Sequence, residues 1–597
     1  MSILASLAAA YRRRLTTHRD VPPFGYYRVE VGFCIVLRAD GTPAFAPVDL
    51  RVLFGKKLVG PRKNLPAPLN QRTSNISANF LWDKTAYVLG VTAGNTKRTH
   101  EEHTKFIDLH LSALRSTDDA GLLALRRFVE HWKPAMFGGL NWPQDMLDKN
   151  IVFGLESSYR SEFIHERSAA NELWSRLLIA EKATEAPCLV LGETKRIARS
   201  HPPIKGVKDA QSSGAFIVSF NDDAYTSYGH EQGDNAPVSE AAAFAYTTAL
   251  NRFLEKDSGH RIQIGDASVV FWADASDANK AAAAENIFAG LWDDGDDGSL
   301  VVDEGMQAQI VGARLKQIRN GEPLASVAPE LAEGVRFYVL ALAPNAARLS
   351  IRFYFEDDFG TIAANYQRFL ADMRIEPPPR DGQPPLWKYL AETAVLKKRE
   401  NVPPNLAGEW MRAILGGTRY PQTLLATVLM RLRADKDVNA LRVAILKALL
   451  IRNNNRKDTP VALKPDYSGG GYKGYQLGRL FAVYERIQSD ALGGKVNATV
   501  KDKFYGSASA QPRKVFGLLE KGSANHLSKI GKQSPGRKVN LEKLVGEIMG
   551  AMDPSSDPFP SALSAEDQAL FGLGYYHQRN EFFKSTKNGT PVEETAQ

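Results

Sequence analysis

Cysteine is nearly missing from this chain: two in 597 residues, Cys34 and Cys188, far apart and with no CxxC. That excludes a disulfide framework and a zinc ribbon, and predicts two buried, reduced thiols in a cytoplasmic protein. Long apolar runs are missing too. No stretch approaches eighteen uninterrupted apolar residues, so neither a membrane span nor a membrane partner is expected. The opening MSILASLAAAYRRRL puts its apolar run before its arginines, the reverse of a secretory signal. With Ile3, Leu4, Leu7 and Tyr11 at helical spacing, it reads as a short amphipathic helix.

Catalytic signatures are equally scarce. There is no GxxxxGK[ST] phosphate loop, no GxGxxG after a strand, no HExxH and no GxSxG. Gly469-Gly470-Gly471 reads as a linker. His100 and His103, beside Glu101 and Glu102, lack a third ligand and read as a solvated helix face. In the run from Glu285 to Gly305, the residues Asp293, Asp297, Gly298, Leu300 and Glu304 fit a calcium-binding loop. Its third position, however, is Gly295, which supplies no side-chain oxygen, so an acidic surface loop is the better reading. No cofactor, no metal and no catalytic residue is expected, and the chain is read as not an enzyme.

What the chain does have is sorted charge. Residues 471–540 carry thirteen Lys or Arg against four acids, and residues 51–98 carry nine against Asp83 alone. These tracts are net +9 and +8 in a chain of net +8, so the remainder is net acidic. Two basic tracts on an acidic body suit a polyanion held along a chosen path, because each phosphate neutralised releases counterions. Lysine-rich solvated faces are the plain alternative. Against it stand the interleaved Ser, Asn, Gln, Gly and aromatic residues of RTSNISANFLW and NATVKDKFYGSASAQPRK, which add donors and stacking surface.

The length predicts about three domains, and the pattern reads as α+β. GYYRVEVGFCIVLRADGTPAFAPVDLR has two β-rich runs about Asp40-Gly41, a hairpin signal. Residues 100–133 and 167–182 read as helix. CLVLGE, GAFIVSFN and ASVVFWAD read as buried strands, with SEAAAFAYTTALNRFLEK a helix before the last, and residues 336–355 as a strand pair about Pro344-Asn345. The five prolines of 374–385 mark the expected boundary between a mixed region, 1–373, and an all-helical bundle, 386–597, with a disordered tail after about 584. In that bundle the expected helices are LWKYLAETAVLKKRE, NLAGEWMRAILGG, YPQTLLATVLMRLRA, NALRVAILKALLIRN, YQLGRLFAVYERIQSDAL, RKVFGLLEKGSANHLSKI, LEKLVGEIM and AEDQALFGLGYYHQRNEFFK, with breaks at Gly416-Gly417 and the Ser564 to Asp567 box.

A turn-rich stretch displays His201, Lys205, Lys208, Gln211, Ser212, Ser213, Asn221, Ser227, Tyr228 and Asn235, which suit recognition loops and equally suit loops capping a sheet. Several long, ordered blocks then carry a resemblance: VPPFGYYRVEVGFCIVL, GKKLVGPRKNLPAP with QRTSNISANFLWDKTAYVLG, HPPIKGVKDAQSSGAFIVSFN with SYGHEQGDNAPVSEAAAFAY, LAPNAARLSIRFY, YQLGRLFAVYERIQ, NATVKDKFYGSASAQP and GYYHQR. From about residue 20 to 583 the chain resembles the large subunit of the type I-C CRISPR interference complex, Cascade.

The resemblance implies a non-catalytic part in RNA-guided DNA recognition. Such a subunit inspects a short flanking motif (PAM) in the target duplex, helps open it into an R-loop, holds the displaced single strand and recruits a helicase-nuclease. Implied partners are the guide RNA, target DNA and the backbone, guide-end and small subunits. On residue type and location, Lys56, Lys57, Arg62, Lys63, Lys97 and Arg98 are candidates for gripping duplex phosphates. Arg72, Thr73, Ser74, Asn75 and Asn79 are candidate groove readers and Gln71 a candidate wedge, while Phe80 and Trp82 read better as core. Lys495, Lys501, Lys503, Arg513, Lys514, Lys529, Arg537 and Lys538 are candidates for the displaced strand, with Tyr505 to stack on its bases. Two other classes stay open: a scaffold that binds nucleic acid without discriminating DNA, and a metal-dependent nucleic-acid-modifying enzyme.

Overall fold

The computed structural model describes residues 2–17, 21–55, 57–67, 76–94, 97–179, 184–220, 222–256, 258–292, 306–380, 382, 384–454, 472–493, 498–552 and 555–584. The fold is α+β. The chain forms two compact units: Met1–Pro203 with Val218–Leu250, and Ile204–Ile217 with Asn251–Gln597. Among the described residues, no helix is long and apolar enough to cross a membrane. Cys34 and Cys188 are free and buried.

In the first unit, the opening helix spans Ile3–Thr17. A four-stranded sheet runs in the order Val48–Asp49, Phe33–Leu37, Asn150–Leu155, Asp83–Lys84, with the two central strands parallel. Alternation sorts their side chains. Phe33, Ile35, Leu37, Ile151 and Phe153 join the core formed with Phe106, Leu125 and Phe128, while Cys34, Val36 and Val152 face Leu65 and Trp82. The parallel pairing needs a crossover, and helices Thr99–Ala113 and Ala120–His131 supply it. The single helix expected over 100–133 is therefore two. Asp119 breaks it by accepting from the N–H groups of Gly121 and Leu122 at 2.9 and 3.0 Å, an N-cap. The turn about Asp40-Gly41 is present, closed by Arg38 and Thr42, but its return strand shrinks to Val48–Asp49. The first β-rich run, Tyr26–Glu30, pairs instead with Arg62–Pro66.

The second unit contains an antiparallel sheet in the order Arg261–Ile264, Ala267–Asp274, Arg336–Asn345, Arg348–Asp358. Its last hairpin turns at Ala346-Ala347, just beyond Pro344-Asn345, with Ala346 at φ 52°. In the first unit, CLVLGE is a turn between Glu185–Pro187 and Thr194–Arg196; the described part of the expected strand GAFIVSFN, residues 214–220, makes only isolated bridges. The expected helix over 386–400 stops at Ala391, and Leu396 and Lys397, at φ 58° and 56°, keep it from running on to 400.

The later helices are Pro404–Leu415, Gln422–Asp435, Ala440–Asn454, Lys473–Leu492, Pro512–Gln533, Pro535–Gly550 and Ala565–Lys584. An eighth, Val500–Ala510, was not expected. Thr499 and Asp502 cap it reciprocally, the Asp502 N–H donating to Thr499 Oγ1 at 3.2 Å and the Thr499 N–H to Asp502 Oδ2 at 2.9 Å. Lys473–Leu492 lies directly against Ala565–Lys584, through glycines: a Cβ at Gly478 would sit 2.1 Å from Phe571 O, and one at Gly574 2.1 Å from Tyr475 O. The proline-rich stretch expected as a boundary falls inside this unit. Met373 and Ile375 before it, and Leu386 and Tyr389 after it, belong to one buried cluster, and Tyr576 OH donates to Pro377 O at 2.7 Å. The acidic loop 293–304 and the tail after 584 lie outside the described residues.

Candidate nucleic-acid interface

The first basic tract is built on the ladder Tyr26–Glu30 with Arg62–Pro66. Lys57, Arg62, Lys97 and Arg98 are exposed. Lys63 is engaged: its Nζ lies 3.2 Å from Glu166 Oε1 and 4.9 Å from the centre of the Phe163 ring. Lys56 and the candidate readers Gln71, Arg72, Thr73, Ser74 and Asn75 lie outside the described residues.

The stems that lead into 71–75 and out of it are firmly held. On the incoming side, the Ala67 N–H and Trp174 Nε1 both donate to Gly25 O at 2.8 Å. Trp82 Nε1 reaches across to Pro66 O at 2.8 Å, tying the two stems together. On the outgoing side, the Leu81 N–H donates to His110 Nε2 at 2.9 Å, and the Asn79 N–H to Asp83 Oδ2 at 2.9 Å. Asn79 is buried at 3% exposure, which removes it from the groove readers. Phe80 stacks between His110 and Trp174, centroids 5.6 and 5.7 Å away, and Trp82 is buried; both are core.

The middle candidates divide between the units. In the first, His201 is buried, with Nδ1 2.7 Å from Tyr246 OH, and burial lowers its pKa to about 4. It is a neutral core histidine rather than a reader. Asn235 is also inward: it accepts from the Ser227 N–H at 3.1 Å and donates to His230 O and Gln232 O at 3.2 and 3.0 Å, bracing the loop. Ser227 and Tyr228 are exposed on that loop, Tyr228 fully and at φ 51°. In the second unit, the Lys205 and Lys208 main-chain N–H groups donate to Asn251 Oδ1 and Ser268 Oγ at 2.8 and 3.0 Å. That bonding leaves the two lysine side chains, with Gln211, Ser212 and Ser213, exposed. Asn221 lies outside the described residues. Of the pair read as a solvated face, His100 is exposed but His103 is buried, Nδ1 2.7 Å from Tyr87 O.

The described candidates of the second tract lie on the helices Val500–Ala510, Pro512–Gln533 and Pro535–Gly550. Tyr505 does not stack on a ligand. It is 2% exposed and makes edge contacts with Phe481, Phe571 and Tyr575 at 5.9, 5.6 and 5.7 Å. Three candidate cations have acidic partners: Arg513 with Asp557, Arg537 Nε with Asp490 Oδ2 at 2.9 Å, and Lys538 with Glu542 at 3.6 Å. Lys501 is half-buried, and Lys495 lies outside the described residues.

Lys503, Lys514 and Lys529 are exposed with no acidic partner among the described residues, and so are two lysines the candidate set omits, Lys521 and Lys532. At 3.6 residues per turn, Lys514, Lys521, Lys529 and Lys532 fall within an arc of about 80°, spread over about 27 Å of helix. Their spacing of seven, eight and three was the signal available in the sequence. A row of solvated ammonium groups with no acidic partner among the described residues has the charge and spacing to follow a linear polyanion. Among the described residues, no group of three His, Cys, Asp or Glu is placed to hold a metal.

Fold and surface together define a two-unit α+β protein that presents a row of unneutralised lysines on a helical bundle. Residues 7–583 match the model of the CRISPR-associated protein Csd1 family, and the chain belongs to that family. Membership makes it a CRISPR-associated protein of the Cascade type, a subunit that works with other such proteins and with nucleic acid. No curated protein matches it significantly.

Proposed function

We propose that this chain is the large subunit of a type I-C Cascade, a non-catalytic cytoplasmic protein that inspects the motif flanking a target, helps open the duplex and holds the displaced strand. The supporting observation is the conjunction of a family match over residues 7–583 with the lysine row on Pro512–Gln533. In this reading, Arg62, Lys97 and Arg98 grip duplex phosphates, and Gln71, Arg72, Thr73, Ser74 and Asn75 read the flank. The fixed stems at Pro66 and Leu81 suit that task, because a reader must be presented at constant register while guide pairing reads the target. Lys503, Lys514, Lys521, Lys529 and Lys532 track the displaced strand, and the assembled complex presents a surface to the helicase-nuclease.

The test is duplex binding by the protein assembled with its backbone subunits and guide RNA, using one target with randomised three-base flanks. Strong flank dependence that disappears with Arg72→Ala or Asn75→Ala is the expected result. Flank-independent binding would leave only a scaffold role.

A further inference from the structure

The strands Val52–Phe54 and Lys57–Val59 pair with each other and, among the described residues, with no other strand. Their register sets Val52 opposite Val59, Leu53 opposite Leu58 and Phe54 opposite Lys57. Cross-strand partners share a face, so Val52, Val59, Phe54 and Lys57 stand on one side of the ribbon and Leu53 and Leu58 on the other. Every apolar member is exposed: Val52 67%, Leu53 72%, Phe54 79%, Leu58 51% and Val59 36%. A ribbon resting on its own protein would hide one face. This one hides neither.

The base of the arm is nevertheless rigid. Arg51 is clamped by Asp49, Nε to Oδ1 at 2.9 Å, and by Asp145, with its guanidinium 4.5 Å from the centre of the Phe33 ring. On the return side, the Gly60 N–H donates to Glu30 Oε1 at 3.0 Å, and a Cβ at Gly60 would lie 1.9 Å from Val31 O, so only glycine fits. The chain thus holds out, from a fixed root, on the order of 500 Å² of apolar surface, an amount that marks an interaction site.

We propose that this arm is an assembly plug, inserted into an apolar cleft of a neighbouring protein subunit of the effector complex, a cleft acidic at its closed end. Two apolar faces call for a cleft rather than a flat surface. The area is more than half of the roughly 800 Å² that each partner brings to a standard protein interface. Val, Leu and Phe carry no groups to bond base edges. A duplex-opening wedge would also be apolar at its tip, whereas here the apolar residues form the shaft and Gly55 and Lys57 stand at its end. Lys57 is exposed with no acidic partner among the described residues, and charge complementarity puts carboxylates where it lands. The inference rests on membership of a multi-subunit complex and is independent of flank recognition.

The experiment pairs a Leu53→Ser/Phe54→Ser double variant with a protein carrying a photo-crosslinking amino acid at Leu58. Each is assembled with the other subunits and guide RNA, with and without target duplex. The free double variant should melt at the parent temperature, because both side chains are already in solvent. It should enter the complex at least about tenfold more weakly, as loss of an interface anchor requires, and the crosslinker should capture a protein subunit before DNA is added. Parental incorporation of the double variant, or a crosslink that forms to DNA or RNA instead, would overturn the assignment whatever the outcome of the flank assay.

Discussion

The main-chain N–H of Leu81 donates to His110 Nε2 at 2.9 Å, which places the ring proton on Nδ1, where it is donated to Phe106 O at 2.8 Å. The ring is fully buried, and burial lowers its pKa to about 4. In the unfolded chain the same histidine titrates near about 6.5, so between these values the unfolded state binds more protons than the native state. Its stabilising contribution is complete above about pH 6.5 and is lost as pH falls toward 4, by up to about 3 kcal/mol. Thermal unfolding across that range should show the decline. His110→Phe should lower the melting temperature at neutral pH, since it orphans the N–H of a residue held at φ 64°, and should flatten the acid decline. An equally steep decline in the variant would assign it to other groups.

Gly478 and Phe571 fix how closely the two central helices of the second unit approach. With a Cβ at 2.1 Å from a carbonyl oxygen, Gly478→Ala must push the helices apart and should cost about 1–3 kcal/mol in denaturant unfolding. Gly517 and Gly522, inside Pro512–Gln533, have nothing within 4 Å of the point where a Cβ would sit. Alanine at either should instead raise stability by up to about 1 kcal/mol, the helix-propensity difference. The opposite signs distinguish close packing from propensity.

Helices were legible in the sequence wherever apolar residues recur at three and four, as in Lys473–Leu492 and Ala565–Lys584. Val500–Ala510 escaped because Gly, Ser and Ala dilute its periodicity, although the Thr499 to Asp502 box announced it. An aromatic among cations reads as a stacking residue, yet Tyr505 points inward because its helix turns that face toward Phe481 and Phe571. Asn79, His201 and Asn235 have the residue types of readers, yet Asn79 is buried and His201 and Asn235 spend their side chains on local bonds, information that only the folded chain contains. The lysine row was partly visible. Charge density marked the segment, and helical geometry added Lys521 and Lys532 while committing Arg513 and Arg537 to carboxylates.

Asp372 and Arg452 form a buried pair, with Arg452 Nε donating to Oδ2 at 2.8 Å and Tyr420 OH donating to the same oxygen at 3.0 Å. The arginine side chain is 1% exposed. Asp372→Asn leaves that guanidinium without its counter-charge and should cost about 3–5 kcal/mol in denaturant unfolding. Adding Arg452→Met should restore part of the loss, because the guanidinium charge is then no longer buried without a partner. If the double variant were less stable than the single, the guanidinium would be held mainly by its other acceptor, Thr418 O at 3.3 Å.

Lys514, Lys521, Lys529 and Lys532 make the most direct claim on nucleic acid. Each phosphate contact to single-stranded DNA contributes about 0.7 to the slope of log affinity against log salt, so replacing all four by Gln should flatten the slope by about 3. The loss should be indifferent to base sequence, since ammonium groups on a helix face read phosphates alone. Arg513→Gln with Arg537→Gln should change the slope less, because Asp557 and Asp490 already neutralise those cations. The measurement is salt-dependent binding of a bubble duplex by the assembled complex. A four-lysine variant with the parental slope would take the row off the DNA path, whereas an equal effect from the two arginines would mean that their carboxylate partners release them on binding.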